Sequence, residues 1–125
     1  MKILKKILML AVSAVVLNVW LFRFSKATIY RGGDATNMLE EFAAYGLSNS
    51  IAYLVGGLKI LAALGLLAGF VYKKAIVPSA TVMSILMVGA IAMHVKVSDE
   101  AIKFLPAGLM LVSSALILLL NKKEV

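Results

Sequence analysis

The sequence predicts an all-α fold, an integral membrane four-helix bundle with a short outer amphipathic helix between helices one and two. Three observations predict it. Of the 125 residues, 62% are hydrophobic and only 15% charged, whereas a soluble domain is roughly 45–50% apolar and about 25% charged. Mean hydropathy is +1.00, which leaves too few polar groups to cover a globular surface in water and also excludes intrinsic disorder. The apolar residues gather in four blocks, and the basic residues lie between the blocks. The net charge of +7 is therefore not a nucleic-acid footprint, since no basic face interleaved with aromatics can be drawn. No cysteine is present, which excludes a disulfide framework, an iron–sulfur cluster, covalent haem and thiol exchange through the chain's own residues.

The first block runs from Ile7 to Phe22. It reaches spanning length, about 17–25 residues, when Ile3 and Leu4 are added and Lys5 and Lys6 snorkel to the interface. Lys2, Lys5 and Lys6 ahead of an apolar run resemble a secretory signal, but the run is long and Ser25-Lys26-Ala27 is a poor cleavage site, so the segment is expected to stay as a span. The next blocks are Ile51 to Tyr72, Ala75 to Met93 and Phe104 to Leu120. The expected organisation is a single transmembrane domain over 1–125, with spans near 4–22, 51–72, 75–94 and 104–121.

Lysines set the expected orientation. Lys2, Lys5 and Lys6, then Lys73 and Lys74, then Lys122 and Lys123 fall on one side of an even number of spans, and the positive-inside rule makes that side the cytoplasm. Both termini are thus expected inside, in a bacterial cytoplasmic (inner) membrane. The outer connections balance Arg23, Lys26 and Arg31 against Asp34, Glu40 and Glu41, and Lys96 and Lys103 against Asp99 and Glu100.

The connection from Arg23 to Ser50 is the one long loop. Arg31-Gly32-Gly33-Asp34 reads as a turn. Asp34 or Thr36 can then cap a short helix through Tyr45, with Leu39, Phe42 and Ala43 on its apolar face and Glu40 and Glu41 turned away. Such a helix suits the outer membrane surface, as a cover or a gate.

Lys59 carries the largest energetic cost in the sequence. Eleven residues beyond Ser48, it lies roughly 16 Å into the second span, where a charge costs at least about 2.5–3.5 kcal/mol and must face the bundle interior or a wet cavity. Ala52, Gly56 and Ala63 share its face, while Tyr53, Leu54, Leu58 and Leu61 fall elsewhere. Candidate partners are Asn18, a carbonyl near Gly56-Gly57, water or a ligand. The alternative is a lysine that only snorkels. Asn18, with Ala11 and Ala14 on its face, is also expected to point inward and to offer an interhelical hydrogen bond.

His94 shares a face with Met83, Met87 and Ala90, a flexible apolar wall leading down from an ionisable ring. A backbone-bonded interfacial histidine is the plainer reading. One histidine, no cysteine and acids at other depths make a metal centre unexpected. Asp99-Glu100 is expected to begin the last helix, with Pro106 tolerated in its first turn. Gly65-Leu66-Leu67-Ala68-Gly69 is a small-xxx-small pattern that serves either packing within the chain or a homodimer.

Arg23 to Lys26, Glu41-Phe42 with Tyr45-Gly46-Leu47, Tyr53-Leu54-Val55-Gly56 leading to Lys59-Ile60, Met93-His94 to Lys96 and Asp99, and Leu105-Pro106-Ala107 together resemble the DoxX-like family. The resemblance covers nearly the whole chain. It implies a small four-helix membrane protein, mostly bacterial, in a superfamily named for a subunit associated with thiosulfate-to-quinone electron transfer and including chaperone-like membrane proteins. It supplies no catalytic residue to transfer. The leading expectation is an accessory subunit of a membrane redox system, binding a quinone or similar small amphipath through Asn18, Lys59 and His94, with no covalently bound cofactor. The expected partners are the lipid bilayer and a membrane redox or other membrane protein, nucleic acid is not one, and a homodimer would use Gly65 and Gly69. Alternatives are a membrane chaperone, assembly or structural protein, and a small transporter; the cation-exporter version would need an acid in the first span, where this chain has Asn18.

Overall fold

The computed structural model describes residues 2–24 and 35–123. The expected turn at Arg31-Gly32-Gly33-Asp34, the Ser25-Lys26-Ala27 site and the Asp34 cap lie outside the described residues. Helix α1 spans Lys2–Leu17 and continues as a π-helical turn, Asn18–Phe22. Helix α2 is Met38–Ala44, α3 is Asn49–Ala68, α4 is Ile76–Lys96 and α5 is Leu105–Lys123. Short 3-10 turns, Lys73–Ala75 and Ala101–Phe104, lead into α4 and α5.

Four helical stretches are long and apolar enough to cross a membrane: Ile3–Phe22, Asn49–Ala68, Lys73–Lys96 and Ala101–Lys122. At about 1.5 Å per residue, each spans the roughly 30 Å hydrocarbon layer. Helix α3 stops at Ala68, short of the expected Tyr72, because the backbone turns through Gly69 and Phe70. Pro106 sits in the first turn of α5, as its missing N–H predicts.

The long helices form a ring in which α1 touches α3 and α5, and α4 touches α3 and α5. Side chains at helical spacing fill its centre: Met9, Val12 and Val16 from α1; Ala52, Ala62, Ala63 and Leu66 from α3; Ile76, Ala80, Met83 and Met87 from α4; Ala107, Met110 and Ile117 from α5. The other faces expose Leu54, Leu61, Ile85 and Val112, which suits hydrocarbon as solvent.

Small residues draw α3 against its neighbours. A Cβ on Gly65 would overlap the Ser79 hydroxyl on α4, and one on Gly69 would come within 2.6 Å of Ile76 Cγ1 and 2.9 Å of Met9 Cε. Ser13 Oγ donates to Met9 O at 2.8 Å and to Ala63 O at 3.0 Å, linking α1 to α3. The glycine pair therefore serves packing within the chain. It is not the outward dimer face that the sequence left open.

Lys5 departs from expectation. It is buried, and its Nζ donates to Asn121 Oδ1 on α5 at 3.2 Å. Lys5 falls on the Lys5–Met9–Val12–Val16 core stripe, so it turns to a polar partner across the bundle end while the exposed Lys6 remains outside.

Candidate functional site

A partly open cavity of about 760 Å³ occupies the α2 half of the bundle. All five helices contribute to its wall. Asn18, Lys59 and His94, the three residues singled out from the sequence, all line it, together with Trp20, Glu41 and Tyr45.

The Lys59 face is as expected: Ala52, Gly56 and Ala63 are buried, while Tyr53, Leu54, Leu58 and Leu61 are exposed. Its neighbour is different. Lys59 Nζ lies 5.4 Å from the centre of the Trp20 ring, a cation–π distance. Trp20 reaches that position because Gly56 has no side chain; a Cβ there would stand 2.5 Å from ring atoms Cε3 and Cζ3. Lys59 makes no hydrogen bond or ion pair among the described residues, and Glu41 is the acidic side chain that shares its cavity.

Asn18 does not point inward. It is exposed at the cavity rim, and Ala11 and Ala14 are exposed with it. The buried stripe passes through Val12, Val16 and Trp20, and Asn18 lies two residues off that stripe. Its carbonyl accepts the Arg23 N–H at 3.0 Å, the five-residue bond of the π turn.

His94 is 5% exposed. Met83 and Met87 below it are buried, in agreement with the expected wall. Its polar partner is a carboxylate, not a backbone carbonyl: Nδ1 lies 2.6 Å from Asp99 Oδ2. Asp99 is thus neither at another depth nor the start of the last helix. After α4, Ser98 adopts a left-handed backbone with φ 55° and turns the chain back. Asp99 N then donates to His94 O at 3.0 Å, which carries the carboxylate to the ring. Lys103 Nζ stands 3.7 Å from Asp99 Oδ1. The 3-10 turn at Ala101–Phe104 follows Glu100 without a side-chain cap. Even with Asp99 beside His94, no group of three metal-ligating side chains exists among the described residues.

Helix α2 closes the cavity. Its cap is Asn37, whose side chain accepts the Glu40 N–H, in place of the expected Thr36. Met38, Phe42 and Tyr45 are buried and Ala43 is exposed. Glu41 faces the cavity instead of turning away, because positions 38, 41, 42 and 45 share one helical face. Lys96 Nζ donates to Tyr45 O at 2.8 Å and ties the end of α2 to α4; the turn from α2 into α3 uses Gly46 at φ 82°.

An arc of aromatic rings completes the roof. Tyr53 stacks on Phe24 at 6.0 Å, Phe24 meets Trp20 at 5.8 Å, and Trp20 meets Phe42 at 6.0 Å. Phe42 continues to Tyr45 at 5.9 Å, Tyr45 to His94 at 5.8 Å, and His94 to Phe104 at 5.4 Å. No motif or periodicity in the sequence brings these rings together. What the sequence does show is the concentration of aromatic residues where the spans meet the long connection.

The arrangement can hold a small, flat or flexible amphipath, with Met and Val side chains along its body and Lys59, Glu41 and His94 for its polar groups. Comparison with curated proteins and with solved structures gave no match. The model of one family, described as the DoxX-like family, matches residues 12–117, which include Asn18, Lys59, His94 and the whole cavity wall. With four apolar helices in this order and a family match over most of its length, the chain is a membrane protein that belongs to the DoxX-like family.

Proposed function

We propose that the protein binds a quinone-like amphipath in this cavity, as an accessory component of a bacterial inner-membrane redox system. Lys59 carries the reading. A lysine amino group lies in the cavity wall with an aromatic ring beneath it and no hydrogen-bond partner among the described residues. Holding such a group in a largely apolar wall, where Glu41 is the acid that shares the cavity, is costly, and a ligand oxygen at Nζ offsets that cost. The cavity volume falls within the range of small-molecule sites. Electrons come from a partner protein, since the chain has no thiol to carry them.

Lys59→Met tests the proposal. The variant should fold and equal or exceed the wild type in thermal stability, because a buried charge opposes folding. Addition of a short-chain quinone should raise the wild-type Tm and quench Trp20, the single tryptophan, and should do neither in the variant. An unchanged quinone shift in Lys59→Met would remove Lys59 from the site and with it the reason for a quinone.

A further inference from the structure

We propose that Asp99 is a positioning residue that fixes the tautomer of His94, so that Nε2 is a hydrogen-bond and proton acceptor for a hydroxyl-bearing ligand such as a phenol or quinol. This rests on the cavity being a ligand site and specifies the chemistry at its His94 end.

Geometry carries the argument. Asp99 Oδ2 stands 2.6 Å from His94 Nδ1, a charge-assisted distance. Two lone pairs cannot face each other at that separation, so one proton lies between them. Lys103 Nζ, 3.7 Å from the other carboxylate oxygen, favours the ionised carboxylate and places that proton on Nδ1. The Tyr45 hydroxyl, 3.5 Å from Nδ1, addresses the same ring edge. In the neutral ring the other nitrogen must then carry a bare lone pair.

Nε2 is the nitrogen without a partner. His94 makes no bond there to any described residue. Ser114 Oγ is the one sealed, unpartnered side-chain atom among the described residues, so Nε2 is not sealed, and the ring lines the cavity. The surrounding charged groups do not occupy it: Glu41 and Lys59 line the same cavity, Lys103 is engaged by Asp99, and Lys96 bonds the Tyr45 carbonyl. A ligand hydroxyl can donate to Nε2. If its proton transfers, the O–H bond breaks, an N–H bond forms, and the imidazolium is offset by the Asp99 carboxylate while the oxyanion stays on the ligand. No electron moves in that step.

The chain has a single histidine, so nitrogen-15 histidine labelling of the full-length protein yields one ring to observe. The neutral ring should show its proton on Nδ1 and a bare Nε2. Asp99→Ala should lose that preference and Asp99→Glu should restore it, a signature that mere packing would not move. A 4-alkylphenol should shift the Nε2 resonance and bind about tenfold more tightly than the matching 4-alkylanisole, which has the same shape but no O–H. A proton on Nε2 in the wild type, or equal effects of phenol and anisole, or no effect of either, would overturn the proposal. Those results are separate from the Lys59→Met quinone test, which uses a ligand without a hydroxyl and reads another residue.

Discussion

Trp20 against Gly56 fixes the depth and shape of the cavity. The indole rests on bare backbone one turn from Lys59, and its ring lies beneath the amino group. Gly56→Ala should therefore push Trp20 out of place, since the new Cβ would stand 2.5 Å from two ring carbons. Overpacking of this kind costs about 1–3 kcal/mol. The expected result is a lower Tm and a shifted emission from the lone tryptophan, read by fluorescence; unchanged emission and Tm would show that the Trp20 ring does not rest on Gly56. Lys59 was legible from sequence because its desolvation cost allows few environments. Trp20 was not, because a tryptophan near a span end equally suits the membrane interface. Asp99 was hidden for another reason. Its approach to His94 depends on one left-handed residue, Ser98, and serine gives little sequence signal for that conformation.

The four spans were legible as elements because each is a long apolar run whose neighbours carry lysine. The face of α2 was harder. Seven residues are too few for periodicity to choose between Leu39–Phe42–Ala43 and the buried Met38–Phe42–Tyr45 set, and one step of rotation decides whether Glu41 meets solvent or cavity. The π turn after α1 was likewise invisible, since nothing in Asn18–Phe22 distinguishes a five-residue backbone bond from the four-residue bond of an α-helix. Helix α2 should respond to acid. Glu40 Oε1 accepts from Thr36 Oγ1 at 2.6 Å and Thr36 N at 2.9 Å, and these bonds hold its carboxyl below the ordinary value of 4.5. A depressed carboxyl contributes stability that is present above pH 4.5 and lost as pH falls through the lower folded value. The protection factors of the α2 amides, taken against the intrinsic exchange rate at each pH, should therefore fall in that acidic window. Thr36→Val should move the onset to higher pH, because the hydroxyl bond that lowers the carboxyl is gone. Protection factors indifferent to both pH and Thr36 would show that Glu40 does not support the cap.

At the scale of the molecule, the ring of four helices separates two chemically different ends. One end gathers Lys5, Lys6, Lys73, Lys74 and Lys122, with Lys5 Nζ held by Asn121 across the bundle. The other carries α2, the aromatic arc, the His94–Asp99 pair and the rim of the cavity. An even number of spans places both chain ends with the lysines, and that excess of positive charge should remain cytoplasmic. The cavity would then take up and release its contents in the outer half of the membrane. The absence of cysteine makes this directly measurable. A membrane-impermeant maleimide should label Glu100→Cys in intact cells and label Lys73→Cys only after permeabilisation; both positions are exposed, so access reports the side and not burial. The opposite pattern would place the His94 end in the cytoplasm. In that orientation Lys59 would be reached from the cytoplasmic leaflet, and any redox partner would have to meet the cavity there.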